Sequence, residues 1–200
     1  MDRFYSKNEM QRYYNKFIVI SEQKKIATPI ISKNACSSLF KIALVRVGYE
    51  CYCDKYGDII KWWGKRDSLL IKEEDLSNYK KVAVVRNPLD RICSAYNTIG
   101  NNMPREDYVN EVICALSNYD ANDINRHIAS QFAQYDTNLI DEFIPIEYLD
   151  EYLHLIDIGA ERVNVSRHPF KIDNERLNEL LEGDFKMYNE ILNGDKCYKH

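Results

Sequence analysis

The sequence predicts an α/β fold in which a central, mainly parallel sheet is flanked by helices. The prediction depends on two strand–loop–helix units, which occupy about residues 25–47 and 81–96. In each unit a short apolar run typical of a buried strand is followed by polar residues and then by apolar residues at helical spacing. Successive units of this kind build parallel sheets whose faces are covered by helices.

The other elements can be assigned in chain order, with Gly48 and Gly159 as natural helix ends. Pro29 predicts that part of the second strand lies at an edge or a bulge. Residues 51–80 are rich in aromatic and charged side chains, and their weak periodicity defines no element. The predicted elements are strands over Phe17–Ile20 and Lys25–Ile31, a helix over Leu39–Val47, a strand over Lys81–Val85, helices over Leu89–Tyr96, Arg105–Asn118 and Ile124–Ala133, a strand over Phe143–Ile146, and helices over Tyr148–Ile158, Asn174–Leu181 and Phe185–Leu192.

Length and composition restrict the possible functions. The 200 residues predict a single domain over 1–200, because two full-sized domains with a linker need a longer chain. A formal net charge of −4 argues against broad nucleic-acid binding, which needs a surplus of Lys and Arg over one face. No apolar run reaches membrane-spanning length, and the charged beginning of the chain is not a secretory signal. We therefore expect a cytoplasmic protein whose 6 cysteines are free thiols.

The first loop, Ser32–Ser38, has the composition of an anion-binding turn. Ligands of open α/β sheets bind at the carboxyl ends of the strands, where helix N-termini offer N–H groups and a partial positive charge. The loop supplies a cation at Lys33, hydroxyl groups, and a small residue at Ala35 that lets backbone amides close around an anion. It lacks the glycines and the Lys-Ser/Thr order of a Walker loop. On its own, such a loop is more often an N-capped helix beside a solvated lysine than an anion site.

The second loop follows the strand that ends at Val85. Arg86 comes directly after this strand, and Ser94 lies about two helical turns further on. A guanidinium and a hydroxyl at this spacing can hold one oxyanion between them. The alternative is an ion pair between Arg86 and Asp90 beside an ordinary helical serine.

Together the two loops resemble the sulfotransferases, and most closely the carbohydrate sulfotransferases of the chondroitin and HNK-1 type. The resemblance lies in Lys33–Ser38 and, about 50 residues later, in Val85–Tyr96. It extends in the expected order to the hairpin before Lys33, His127–Gln131, Phe143–Leu149, Asn164–Ser166 and Asp184–Tyr188. The resemblance implies a P-loop-like, three-layer fold that binds 3′-phosphoadenosine 5′-phosphosulfate (PAPS). The sulfuryl group would pass to an acceptor hydroxyl on a carbohydrate or another small polar molecule.

The resemblance also implies roles for individual residues. Lys33 matches the family lysine at the phosphosulfate, and Arg86 and Ser94 match the pair that holds the 3′-phosphate. The loop around the 5′-phosphate is matched by Asn34, Ala35, Cys36, Ser37 and Ser38. Two features depart from the family: its His-Trp dipeptide is His127-Ile128 here, and we expect no counterpart of the Golgi membrane anchor of animal members.

The expected chemistry follows from these residue types. Sulfuryl transfer, like phosphoryl transfer, is expected to pass through a loose in-line transition state, in which Lys33 stabilises the charge growing on the leaving phosphate oxygen. His127 is the first choice for the general base, because imidazole titrates near neutrality and this residue matches the family histidine. The alternative bases are acids of the stretch 58–75, namely Asp67, Glu73 and Glu74.

Two other functions remain open at this point. A P-loop-like kinase would need ATP and magnesium, and the missing Walker order argues against it. A binding module would hold PAPS or adenosine 3′,5′-bisphosphate (PAP) without turnover. We predict no metal site, because Cys51 and Cys53 lack a second pair of zinc ligands and no acidic metal loop is present. The identity of the acceptor and the oligomeric state cannot be predicted from the sequence.

Overall fold

The computed structural model describes residues 14–48, 66–100, 102–118, 124–156 and 170–198. The strands in these ranges are β1 (Lys16–Ser21), β2 (Ile26–Pro29), β3 (Ile71–Lys72), β4 (Lys80–Val85) and β5 (Glu142–Pro145). They form a five-stranded sheet in the order β3-β1-β2-β4-β5. The two predicted strand–loop–helix units therefore contribute neighbouring strands, β2 and β4.

The strand directions confirm the predicted α/β class. Strand β2 pairs with β4 in parallel, and β4 pairs with β5 in parallel. Strand β1 is antiparallel to both β2 and β3, so it alone among the described strands runs against the others. Pro29 belongs to an interior strand rather than to an edge. It fits there because it is the last residue of β2, and the pairing with β4 involves only Ile26 and Ala27.

Helices flank this sheet, as the sequence predicts. In the described residues they are α1 (Cys36–Arg46), α2 (Arg66–Leu69), α3 (Pro88–Ala95), α4 (Arg105–Asn118), α5 (Leu149–Leu155), α6 (Glu175–Leu180) and α7 (Glu182–Asn193). None of the helices found in the described part of the chain has the length and apolar character needed to cross a membrane.

The segment 124–133 differs from the predicted helix. It contains a turn, in which Ile128 N and Ala129 N both donate to Asn125 O, and a short 3-10 helix over Gln131–Ala133. Side chains from elsewhere donate to the carbonyls of this turn, which a regular helix would use internally. Tertiary hydrogen bonds thus replace the helical ones.

The sheet is buried on both faces. Val82 and Val84 of β4 belong to a cluster packed with residues of α1 and α5, whereas Ala83 and Val85 belong to a cluster that includes Tyr188 of α7. This alternation is the two-residue period of a strand. A third cluster joins apolar residues of α3, α4 and α6. The packing fixes the carboxyl ends of β2 and β4, where the two predicted loops begin.

Helix α3 continues without a break into a π-helical turn, Tyr96–Gly100. The ring of Tyr96 contacts that of Tyr108 edge-on, with centroids 5.1 Å apart. Gly100 lies against both rings: a Cβ atom at this position would be 2.5 Å from Tyr108 Cδ2 and 2.7 Å from Tyr96 Cδ2. The turn therefore depends on a residue without a side chain. Its third residue, Thr98, reaches the first loop.

Gly100→Ala should lower the free energy of unfolding by about 1–3 kcal/mol, because two core aromatic rings must shift to admit the methyl group. Gly183→Ala is the matched control: an added Cβ in α7 meets no atom within 4 Å. The control should be neutral or should stabilise the protein by up to about 1 kcal/mol, since alanine favours helix over glycine. Urea unfolding of both variants tests this, and equal effects would contradict the assigned packing.

Candidate functional site

The first loop joins β2 to α1 through two residues in the left-handed region. Lys33 has a φ of 68° and Ala35 a φ of 58°. Each costs on the order of 1 kcal/mol for a residue other than glycine. Between them, Asn34 N donates to Ile31 O at 3.1 Å and closes a turn. Successive left-handed and right-handed residues of this kind turn backbone N–H groups toward a common centre.

Helix α1 begins at this turn. Ala35 is its N-cap residue and offers no side-chain oxygen to the first N–H groups of the helix. Cys36, Ser37 and Ser38 occupy the first three helical positions, with Ser38 buried and the other two half-buried. The first turn of α1 thus combines hydroxyl groups with the partial positive charge of a helix N-terminus.

A buried amide network ties this loop to the end of β4. Asn34 Nδ2 donates to Val84 O at 2.9 Å and to Gln131 Oε1 at 2.6 Å. Gln131, which is fully buried, also accepts from Arg86 N at 3.1 Å and donates from Nε2 to Arg86 O at 2.7 Å. One glutamine side chain therefore fixes both loops. Gln131 lies in the stretch His127–Gln131 that resembles the sulfotransferases, but nothing else in the sequence around it indicates this role.

The two predicted anion-binding loops lie next to each other. Arg86 Nη1 donates to Lys33 O at 3.2 Å, and Lys33 Nζ donates to Thr98 Oγ1 at 2.9 Å. Ser94 is buried on α3, one turn before Thr98. The shared use of one oxyanion by Arg86 and Ser94 stays a prediction. Thr98 was not a candidate from the sequence, because its position depends on the π-helical turn.

The positive charges around Lys33 alter its titration. Burial lowers the pKa of Lys33, the charges of Arg86 and Arg91 lower it further, and Cys36 acts in the opposite direction. In such surroundings, the protonated form of a lysine is stabilised when a negatively charged group binds beside it. The cluster therefore favours an anionic ligand, although the chain as a whole carries a net charge of −4.

His127 lies half-buried on the turn that follows Ile124. Its backbone N and its ring Nδ1 lie 3.0 Å and 2.7 Å from Asn125 Oδ1. Because a backbone N–H can only donate, the shared atom is the amide oxygen, and Nδ1 must carry a hydrogen to bond with it. In the neutral ring the basic nitrogen is then Nε2. A general base needs such an unprotonated ring nitrogen.

Arg91 joins the His127 turn to the first loop. Its side chain is buried, and its guanidinium donates to three carbonyls: Nε to Ser32 O at 2.9 Å, Nη2 to Arg126 O at 2.6 Å, and Nη1 to Ala129 O. Gln134 reinforces the connection, because its Oε1 accepts from Ser32 N and its Nε2 donates to Arg126 O. Neither Arg91 nor Gln134 was a candidate from the sequence.

The sulfotransferase family model matches residues 16–143, which is more than half of the chain. The chain belongs to the sulfotransferase family. The matched residues include both loops, the π-helical turn and His127, so the site lies within the family region. Neither the curated proteins nor the solved structures contain a match to the chain. Membership of the family gives the general class of reaction, which is sulfuryl transfer.

For this sulfotransferase, the alternative bases differ in their surroundings. The carboxylate of Glu73 is ion-paired with Lys81 Nζ, 3.7 Å away, near the beginning of β4. Arg86 follows the other end of that strand. Glu73 and Glu74 belong to a 3-10 helix, Glu73–Leu76, on which Glu74 is exposed, and the side chain of Asp67 lies outside the described residues. Among the described candidates Glu73, Glu74 and His127, it is the turn of His127 that Arg91 connects to the first loop.

The prediction that the cysteines are free thiols can be compared with four of them. Cys36, Cys93, Cys114 and Cys197 are free, whereas Cys51 and Cys53 lie outside the described residues. Within the ranges given above, no group of His, Cys, Asp and Glu side chains could hold a metal ion.

Proposed function

We propose that this sulfotransferase uses PAPS as its donor and transfers the sulfuryl group to a hydroxyl of a carbohydrate or another small polar molecule. The observation that carries the proposal is the contact between the two loops: Arg86 donates to the carbonyl of Lys33, the residue that would act on the phosphosulfate. A nucleotide with phosphates at both its 5′ and 3′ positions needs two anion sites close together. A carbohydrate-type acceptor and a cytoplasmic location belong to the same proposal.

The residue types suit the donor. The N–H groups at the beginning of α1, with Ser37 and Ser38, would hold the 5′-phosphate. Arg86 and Ser94 would hold the 3′-phosphate, with the guanidinium supplying charge-assisted hydrogen bonds. Lys33 would bind the oxygen that bridges phosphate and sulfate. All of these groups are hydrogen-bond donors, as an anionic nucleotide requires.

In the proposed reaction the acceptor oxygen attacks sulfur in line with the leaving phosphate. The new O–S bond forms while the sulfur–oxygen bond to the phosphate breaks, and PAP leaves with the additional negative charge. Lys33 meets that charge, and its fixed position minimises the reorganisation needed during the reaction. His127 Nε2 takes the proton of the acceptor hydroxyl, while Asn125 Oδ1 holds Nδ1–H and so keeps Nε2 basic.

The donor site can be tested by calorimetry with PAP, adenosine 5′-phosphate and ATP. We expect PAP to bind and ATP to bind more weakly, since only PAP carries a 3′-phosphate. Arg86→Ala and Ser94→Ala should each weaken PAP binding roughly 10- to 150-fold, the usual strength of one hydrogen bond to a charged group. Ser94→Ala should bind adenosine 5′-phosphate nearly as the wild type does, whereas Arg86→Ala also removes a hydrogen bond to the first loop and should weaken adenosine 5′-phosphate as well. Ser117→Ala, at an exposed position of α4, is the control. Equal losses for PAP and adenosine 5′-phosphate in Ser94→Ala would contradict the assignment.

Lys33→Ala should reduce turnover about 100- to 1000-fold, the loss expected when a preorganised charge partner is removed from a transition state. The measurement is transfer from radiolabelled PAPS to a panel of acceptors, with mass spectrometry of the sulfated product. Lys24→Ala, on the exposed turn between β1 and β2, should keep full turnover. Turnover of Lys33→Ala within a factor of two of the wild type would remove Lys33 from the mechanism. PAP binding without transfer to any acceptor would favour the binding-module alternative.

His127→Ala should lower turnover about 10²- to 10⁴-fold, the usual contribution of a general base, and leave PAP affinity unchanged. His154→Ala replaces an exposed histidine on α5 and should change neither quantity. The two variants are compared in the same transfer and calorimetry experiments. Unchanged turnover in His127→Ala would transfer the role of base to another group.

A further inference from the structure

Arg91 connects the backbone on either side of the proposed catalytic residues. Its guanidinium donates to the carbonyl directly before Lys33, at Ser32, and to the carbonyl directly before His127, at Arg126. A further bond reaches Ala129 O, two residues after His127. These acceptors are 59, 35 and 38 residues from Arg91 in the sequence. One side chain thus sets the distance between two loops that the backbone does not connect locally.

The buried charge of Arg91 needs compensation. Arg91 is 1 % exposed, and its burial lowers its pKa to about 10. Asp184 of α7 opposes this lowering by charge attraction. Asp184 accepts from the Ser130 hydroxyl, and it interacts with the backbone N–H of Gln131. Burial raises the pKa of Asp184, whereas Ser130 and Arg91 lower it. Helix α7 therefore supplies a carboxylate that attracts the charge of Arg91 and also holds Ser130, the residue after Ala129.

We infer that Arg91 is a positioning residue for sulfuryl transfer, because it fixes Lys33 and His127 relative to each other. Asp184 supports this role by holding Ser130, the residue after the Ala129 carbonyl that Arg91 binds. The inference rests on the proposed function. Reacting groups must be held within a fraction of an ångström, and a displacement of about 1 Å can cost on the order of 100-fold in rate. The planar guanidinium donates in three directions from one rigid group, which the single ammonium of a lysine cannot reproduce. Asp184 lies outside residues 16–143, so the inference also assigns a role beyond the family region.

The test uses the full chain and two conservative variants. Arg91→Lys keeps the charge and loses the planar set of donors, whereas Asp184→Asn keeps the shape and loses the negative charge. The controls are Arg176→Lys and Asp173→Asn, which replace exposed residues on and before α6. Turnover is divided by the number of PAP-binding sites counted by calorimetry, so that a smaller folded fraction does not lower the result.

We expect Arg91→Lys to lose about 100-fold in turnover per PAP-binding site, and Asp184→Asn to lose less. Amide hydrogen exchange supplies a readout that does not depend on activity. Exchange should increase together over residues 32–35 and 126–129 in Arg91→Lys, because one side chain holds both segments. If Arg91→Lys does not fold, the same comparison is made with Asp184→Asn. The two control variants should change neither measurement.

Two outcomes would overturn the inference. One is turnover per PAP-binding site equal to that of the wild type, with only the melting temperature lowered. The other is increased exchange in a single one of the two segments. A wild-type protein that neither binds PAP nor transfers sulfate would instead refute the proposed function. The exchange comparison would still report separately whether Arg91 couples the two segments.

Discussion

Buried polar side chains at the carboxyl ends of β2 and β4 hold the candidate site together. Backbone groups that leave a sheet lose the partners of the strand ladder, and an unpaired buried group costs about 1–3 kcal/mol. Here Gln131 satisfies both the N–H and the C=O of Arg86, and Asn34 satisfies Val84 O. Asn34 Nδ2 also donates to Gln131 Oε1, which joins the two side chains directly. The connection between the two loops is therefore a consequence of satisfying the backbone at the ends of the strands.

This network also explains how strained residues persist at the first loop. Two left-handed non-glycine residues are unfavourable on their own, and they remain because the loop is fixed at several points. Asn34 ties its middle to Val84 and Gln131, Arg86 holds the carbonyl of Lys33, and Arg91 holds that of Ser32. The result is a turn whose cations are held near one another before any ligand binds. An anionic nucleotide would then relieve their mutual repulsion, which makes the site selective for negative charge.

Much of the fold could be predicted because it depends on local patterns. The short apolar run in Lys81–Val85 and the helical spacing after Lys33 correspond to β4 and α1. The prediction of a helix over 124–133 was wrong because Arg91 and Gln134 capture its carbonyls. Lys33 and Arg86 could be identified as site candidates from the sequence, since both follow apolar strands. Gln131 and Asp184 were not, because their partners lie between 45 and 97 residues away in the chain.

Asp184, which lies outside residues 16–143, contacts the turn that Arg91 holds, because it accepts from Ser130 next to Ala129. A guanidinium buried among neutral carbonyls retains most of its desolvation cost, and a nearby carboxylate offsets part of it. That carboxylate belongs to α7. Two contacts position this end of the chain: Tyr188 of α7 packs against the sheet, and Cys197, after α7, forms an isolated parallel β-bridge with Phe143 of β5. Lys196 Nζ donates to Ile140 O in the same region. Residues after 181 therefore contribute both to the packing of β5 and to the electrostatics of the loops around Lys33 and His127.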